Sequence, residues 1–189
     1  MPQPRPTLAD LFHRRWAVPV LAQLHLHTGA KFATLVHATG ATPASIRQTL
    51  DHLIALGWVA PNPGYGHPLR PEYILTVAGQ HLAPGCVTLD AALVRCNLRD
   101  IGLRKWTMPT LAALAHGSRR FHELAASLGT VTDRALSLSL SGLAGVPLVG
   151  RTSPRPGVPV AYRTIGRGRS IAPIAAEIQT RLRFDLPRL

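Results

Sequence analysis

Arginine is the residue through which this chain could do chemistry. Of its 21 basic residues all but Lys31 and Lys105 are arginine, set against nine acids for a net charge of +12 in 189 residues. A guanidinium forms paired hydrogen bonds to phosphate or to a guanine edge that an ammonium cannot form. Clustered cations of this kind hold polyanions largely by releasing condensed counterions. The charge is uneven: residues 1–94 carry six Lys or Arg and four acids, net +2, while residues 95–189 carry fifteen and five, net +10. A GC-rich genome would also favour arginine over lysine, but codon bias does not explain so few acids.

Other chemistries find little material. No nucleophile and base stand at a workable spacing, no glycine loop could cradle a phosphate, and the acids form no constellation, so neither catalysis nor a cofactor is expected. His25 and His27 on a helix end project onto different faces, which argues against a metal site. Cys86 and Cys96 are the only cysteines, too few for a disulfide framework or a four-ligand zinc site. Arg95 and Arg99 flank Cys96 and would lower a thiol pKa; the alternative is a buried linker thiol. No apolar run is long enough to span a bilayer, and Met1 to Asp10, with Pro2, Pro4 and Pro6, has no secretion segment. The expectation is a soluble cytoplasmic, nucleoid-associated protein with no membrane partner.

The elements that must position the arginines occur twice. Trp16, Pro19, Leu21, Leu24, Phe32, Leu35, Gly40, Ile46, Leu50, Leu53, Tyr73 and Gly79 reappear as Trp106, Pro109, Leu111, Leu114, Phe121, Leu124, Gly129, Leu136, Leu140, Leu143, Tyr162 and Gly168, at an offset of 89 or 90. That period exceeds the roughly 20 to 50 residues of a solenoid unit, so each copy can hold its own core. The pattern predicts a domain over 1–85, a linker or linker helix over 86–99, and a second domain over 100–189 ending in a helix from about Ile171. Arg181, Arg183 and Arg188 at that helix's end suit its dipole without any ligand.

In each copy a proline-containing helix, expected to kink or end its first segment at Pro19, precedes a short helix, Phe32 to Ala38 or Phe121 to Leu128. A glycine turn follows, then a helix with clear start signals, Thr42 before Pro43 and Thr132 before Asp133. Helix, glycine turn and capped helix form a helix-turn-helix, whose second helix enters the major groove. Over Pro43 to Leu56, Ile46, Leu50, Leu53 and Ile54 form the inward stripe, leaving Ser45, Arg47, Gln48 and His52 toward solvent or DNA. Trp58-Val59 and Tyr73 to Leu75, or Leu148-Val149 and Val160 to Arg163, read as strands around a loop, a wing. In the second copy Gly142, Gly145 and Pro147 predict a frayed or shortened reading helix, exposing Arg134, Ser137, Leu138 and Ser141.

Lys105-Trp106-Thr107, the run Arg119 to Leu124, and Ala161-Tyr162-Arg163-Thr164 before Gly168-Arg169 resemble the HxlR family of winged helix-turn-helix transcriptional regulators. Trp16, Leu53 to Val59 and Glu72 to Thr76 before Gly79 show the same signature in the first copy. The resemblance implies an α+β, mainly helical fold of two tandem winged helix-turn-helix domains, and it makes Cys96, near where some redox-sensing relatives carry a reactive cysteine, a candidate redox-sensing residue. It also implies double-stranded DNA as partner, and a homodimer built by terminal helices. Here that dimer is either built into one chain or formed again between chains. Arg47 and Gln48 are suited to reading guanine and adenine. Arg119, Arg120, Arg151, Arg155 and Arg163 are suited to clamping phosphate, and Arg70 is a further DNA-binding candidate. The leading expectation is a transcriptional regulator; an architectural or repair-associated binder of low specificity and a protein-docking module are the alternatives.

Overall fold

Threonine caps and positive-φ glycines punctuate the chain where the sequence calls for turns. The computed structural model describes residues 5–64, 72–117, 119–152 and 159–183. The first half runs α1 (Leu8–Leu11), α2 (Ala17–Leu26), β1 (Ala30–Lys31), α3 (Phe32–Thr39), α4 (Pro43–Ala55), β2 (Val59–Pro61), β3 (Glu72–Leu75) and α5 (Val77–Arg95). The second runs α6 (Arg99–Gly102), α7 (Thr107–Ala113), β4 (Arg119–Arg120), α8 (Phe121–Leu128), α9 (Asp133–Gly145), β5 (Val149–Arg151), β6 (Ala161–Thr164) and α10 (Gly168–Arg183). The result is mainly helical with two small antiparallel sheets, of order β1-β3-β2 and β4-β6-β5. This α+β arrangement is consistent with a winged helix.

Gly40 at φ 71° adopts the left-handed backbone that ends α3, and Gly129 ends α8 in a different positive-φ conformation, at φ 68°. Thr42 Oγ1 then accepts from the Ser45 N–H and Thr132 Oγ1 from the Ala135 N–H, capping α4 and α9. Pro19 and Pro109 are each the third residue of a helix, where the missing N–H would have had no intrahelical partner. The break in each half comes earlier, in the residues between α1 and α2 and between α6 and α7.

Two sequence expectations fail here. The helix expected to be frayed or shortened is not short: α9 has thirteen residues, as many as α4. Gly142 is a packing residue, since a Cβ there would stand 3.2 Å from Cδ1 of Ile101 on α6. Ile54 is not part of the inward stripe but 37% exposed; buried Thr49, whose hydroxyl donates to the Ser45 carbonyl, joins Ile46, Leu50 and Leu53 inside.

Gly79 and Gly168 sit where α5 and α10 start against the preceding strands. A Cβ would overlap the Trp58 carbonyl oxygen in one case and the Leu148 carbonyl oxygen in the other, so only glycine fits. The segment 86–99, expected as a linker or linker helix, is largely the second half of α5, and the expected boundary at residue 85 falls inside that helix. α5 packs against α2 and α10, and α10 against α7 and α5. At Gly85 the helices come close enough that a Cβ would stand 2.8 Å from Ile178 Cγ1. Buried residues from Leu8 to Ile178 form one continuous core running through both halves.

Candidate nucleic-acid interface

α4 presents Arg47 and Gln48 side by side on its exposed face. The Arg47 guanidinium lies 5.3 Å from the Phe32 ring centroid, a cation–π contact that limits where the side chain can swing. Gln48 Oε1 accepts from Arg14 Nη1 at 3.0 Å, so one face of the amide is already engaged. Ser45 is half-buried, its Oγ 2.9 Å from Thr42 Oγ1, and serves the cap. His52 does not face outward. It is half-buried, with Nε2 2.8 Å from the Asp10 carbonyl oxygen and its ring 5.2 Å from that of His13. The cause is α1, a four-residue helix with a Thr7–Asp10 capping box that lays the start of the chain against α4. Arg14 was missed for the same reason.

On α9 the corresponding face exposes Arg134, Ser137 and Ser141, with Leu138 64% exposed. The helix is held to α7 through Ser139, whose hydroxyl donates to the Trp106 carbonyl at 3.2 Å and lies 3.2 Å from that of buried Thr110.

Strand register decides where the remaining arginines point. In the second sheet Arg119 is paired with Tyr162, Arg120 with Ala161, Gly150 with Arg163 and Arg151 with Tyr162. Side chains alternate along a strand and paired residues share a face. Arg120 and Arg163 therefore lie together on the face away from buried Val149, whereas Arg119, Tyr162 and Arg151 share the other. The Arg151 guanidinium stands 5.7 Å from the Tyr162 ring at the outer end of that face. Arg120 also holds the start of α8, its N–H donating to Glu123 Oε2 at 2.7 Å. Arg70, Arg155 and Arg188 lie outside the described residues. In the first sheet the positions matching Arg120 and Ala161 are Lys31 and Glu72, paired across β1 and β3, so that face balances its charge.

Residues 101–183 match the family described as HxlR-like helix-turn-helix. The matched segment spans all of α7 to α10, and thus α9 and the face carrying Arg120 and Arg163. No curated protein matches the chain. A helix-turn-helix match over this segment points to DNA binding and transcriptional regulation. No helix among the described residues is long and apolar enough to cross a membrane.

Cys96 is a half-buried free thiol. Of the two arginines expected to activate it, Arg99 is engaged with both oxygens of Asp90 at 3.0 and 3.2 Å. Cys86 is buried inside α5, where desolvation and the nearby Asp90 push its thiol pKa up. Arg181 donates to the His81 carbonyl at 3.0 Å and to Glu177 at 2.7 Å, tying α10 to α5. Among the described residues no three His, Cys, Asp or Glu side chains gather as metal ligands.

Proposed function

We propose that this protein is a transcriptional regulator that binds duplex DNA through two winged helix-turn-helix units in one chain. One observation carries the reading: the segment matching the HxlR-like family also holds the exposed basic set Arg120, Arg134 and Arg163. The identical sheet orders and the shared α5–α10 packing support a duplication in which the terminal helices, which would otherwise join two chains, join two halves. Two reading helices would then address half-sites about one helical turn, roughly 34 Å, apart. Labour is divided. The first unit supplies base readers, Arg47 and Gln48, and the second supplies phosphate clamps. The chain acts by occupancy and carries out no reaction of its own.

The test is a mobility shift of the full chain on a random 30-base-pair duplex and on duplexes enriched from a randomised library, at two salt concentrations. A regulator retains a preference of at least about 10³-fold for the enriched sequence as salt rises. The one exposed guanidinium on α9 favours a second reading, an architectural binder with little sequence preference; such a protein yields no enriched sequence and loses affinity steeply with salt. A docking module shifts neither duplex.

A further inference from the structure

A cavity of about 600 Å³ opens between the start of the chain, α7, the end of α8 and the last turns of α10. Its size suits a small organic ligand, for which pockets run from about 300 to 1,000 Å³. Trp106, Leu128 and Leu182 supply apolar wall, and Arg5, Arg119 and Arg183 supply positive charge. None of the residues that border it is an acid. Among the described residues neither the Arg119 guanidinium nor the His116 ring makes a hydrogen bond or ion pair. A half-buried guanidinium left this way has its donors available. In the first half the position matching Arg119 is Ala30, 5% exposed and packed in the core. The second half thus carries a half-buried cation where its counterpart closes over with a methyl group.

We infer that this cavity is a binding site for a small organic anion with a flat apolar body, its ring laid along Trp106 and its carboxylate or sulfonate held by Arg119. Arg119 points away from the sheet face that carries Arg120 and Arg163, so its charge is directed into the cavity and not toward a duplex. Four elements meet around the site, and one of them, α8, is the first helix of the second helix-turn-helix. A ligand seated there fixes α8 against α10 and against the chain's first turn, which sets the angle at which α9 is offered. This last step, control of DNA binding, rests on the function proposed above; the binding site does not.

The experiment titrates the full chain with the anionic dye 8-anilinonaphthalene-1-sulfonate and with neutral N-phenyl-1-naphthylamine, which has the same ring system. Saturable one-to-one binding of the anion is expected, at least tenfold tighter than the neutral dye. Arg119→Ala should weaken it at least tenfold, and Thr180→Trp, which fills the cavity from an exposed position on α10, should abolish it. Arg169→Ala, which removes the same charge outside the cavity, should leave it unchanged. Equal binding of the two dyes, no saturable binding, or unaltered affinity in both Arg119→Ala and Thr180→Trp overturns the site. Should Arg119→Ala fail to fold, Thr180→Trp and the dye comparison decide alone. A saturating anion that leaves the mobility shift unmoved refutes the regulatory step only. Failure to shift any DNA refutes the proposed function and leaves the dye result standing.

Discussion

Arg14 Nη1 donates to Gln48 Oε1 across 3.0 Å, so the residue best suited to read adenine is already held by a neighbour outside its own helix. Adenine readout uses both ends of the amide, the oxygen for N6 and the nitrogen for N7. An oxygen shared with Arg14 makes a weaker second acceptor. Arg47 keeps its donors and only stacks on Phe32. Arg47→Ala should therefore remove about 1–3 kcal/mol of discrimination at one base pair, and Gln48→Ala less than about 1 kcal/mol. Competition among single-base variants of the enriched duplex measures both. Equal losses would show that Arg14 does not restrain the amide.

The sheet register separates two neighbours in sequence. Arg120→Ala and Arg163→Ala should weaken every duplex alike and lower the slope of log affinity against log salt by about 0.9 for each phosphate that is no longer neutralised. Arg119→Ala should leave that slope unchanged, because its side chain lies on the other face. Salt titrations of the three variants on random duplex provide the comparison, and a slope change for Arg119→Ala as large as for Arg120→Ala would refute the facing.

Two glycines in the second half should respond in opposite directions to alanine. At Gly168 the added carbon meets the Leu148 carbonyl oxygen and α10 must move off the strand, a cost of about 1–3 kcal/mol or more. At Gly145, the last residue of α9, nothing lies within 4 Å, and alanine should stabilise by a few tenths to about 1 kcal/mol. Thermal melting resolves both, at roughly 2–4 °C for each kcal/mol in a chain this long. Matching shifts for the two would contradict the close approach at Gly168.

His13 gives the fold a sensitivity to mild acid. Partial desolvation of its ring, then the charges of Lys105, His52 and Arg14, lower its pKa below the usual 6.5, with Asp10 opposing. A depressed folded-state pKa means that the contribution to stability is present above pH 6.5 and is lost as pH falls through the lowered value. The melting temperature should drop between pH 7.5 and pH 5, and His13→Gln should flatten that drop. A variant with the wild-type pH profile would place the sensitivity elsewhere.

What could be read from sequence was whatever repeats along one element. Caps, glycine turns and the buried positions Ile46, Leu50, Leu136 and Leu140 follow from local chemistry and helical period, and the structure has them. What escaped were features set by a second element. β1 and β4 are two residues long, too short for any alternation to register, yet β4 alone decides that Arg119 and Arg120 part company. α1 turns His52 inward and brings Arg14 to Gln48, through contacts 42 and 34 residues apart in sequence. Gly142 reads as a helix breaker until Ile101 is seen above it.

The close approach at Gly85 has a consequence for how such a molecule changes over time. At the offset of 89 that relates the halves, Gly85 corresponds to Ile174 and Ile178 to Leu89, so the glycine that admits Ile178 has no twin across the α5–α10 contact. An association of two identical chains must be self-complementary, and each substitution there arrives twice, at i against j and again at j against i. In a single polypeptide it arrives once. A bulky side chain gained in one helix can be answered by a small one in the other, and each half is free to drift toward its own task.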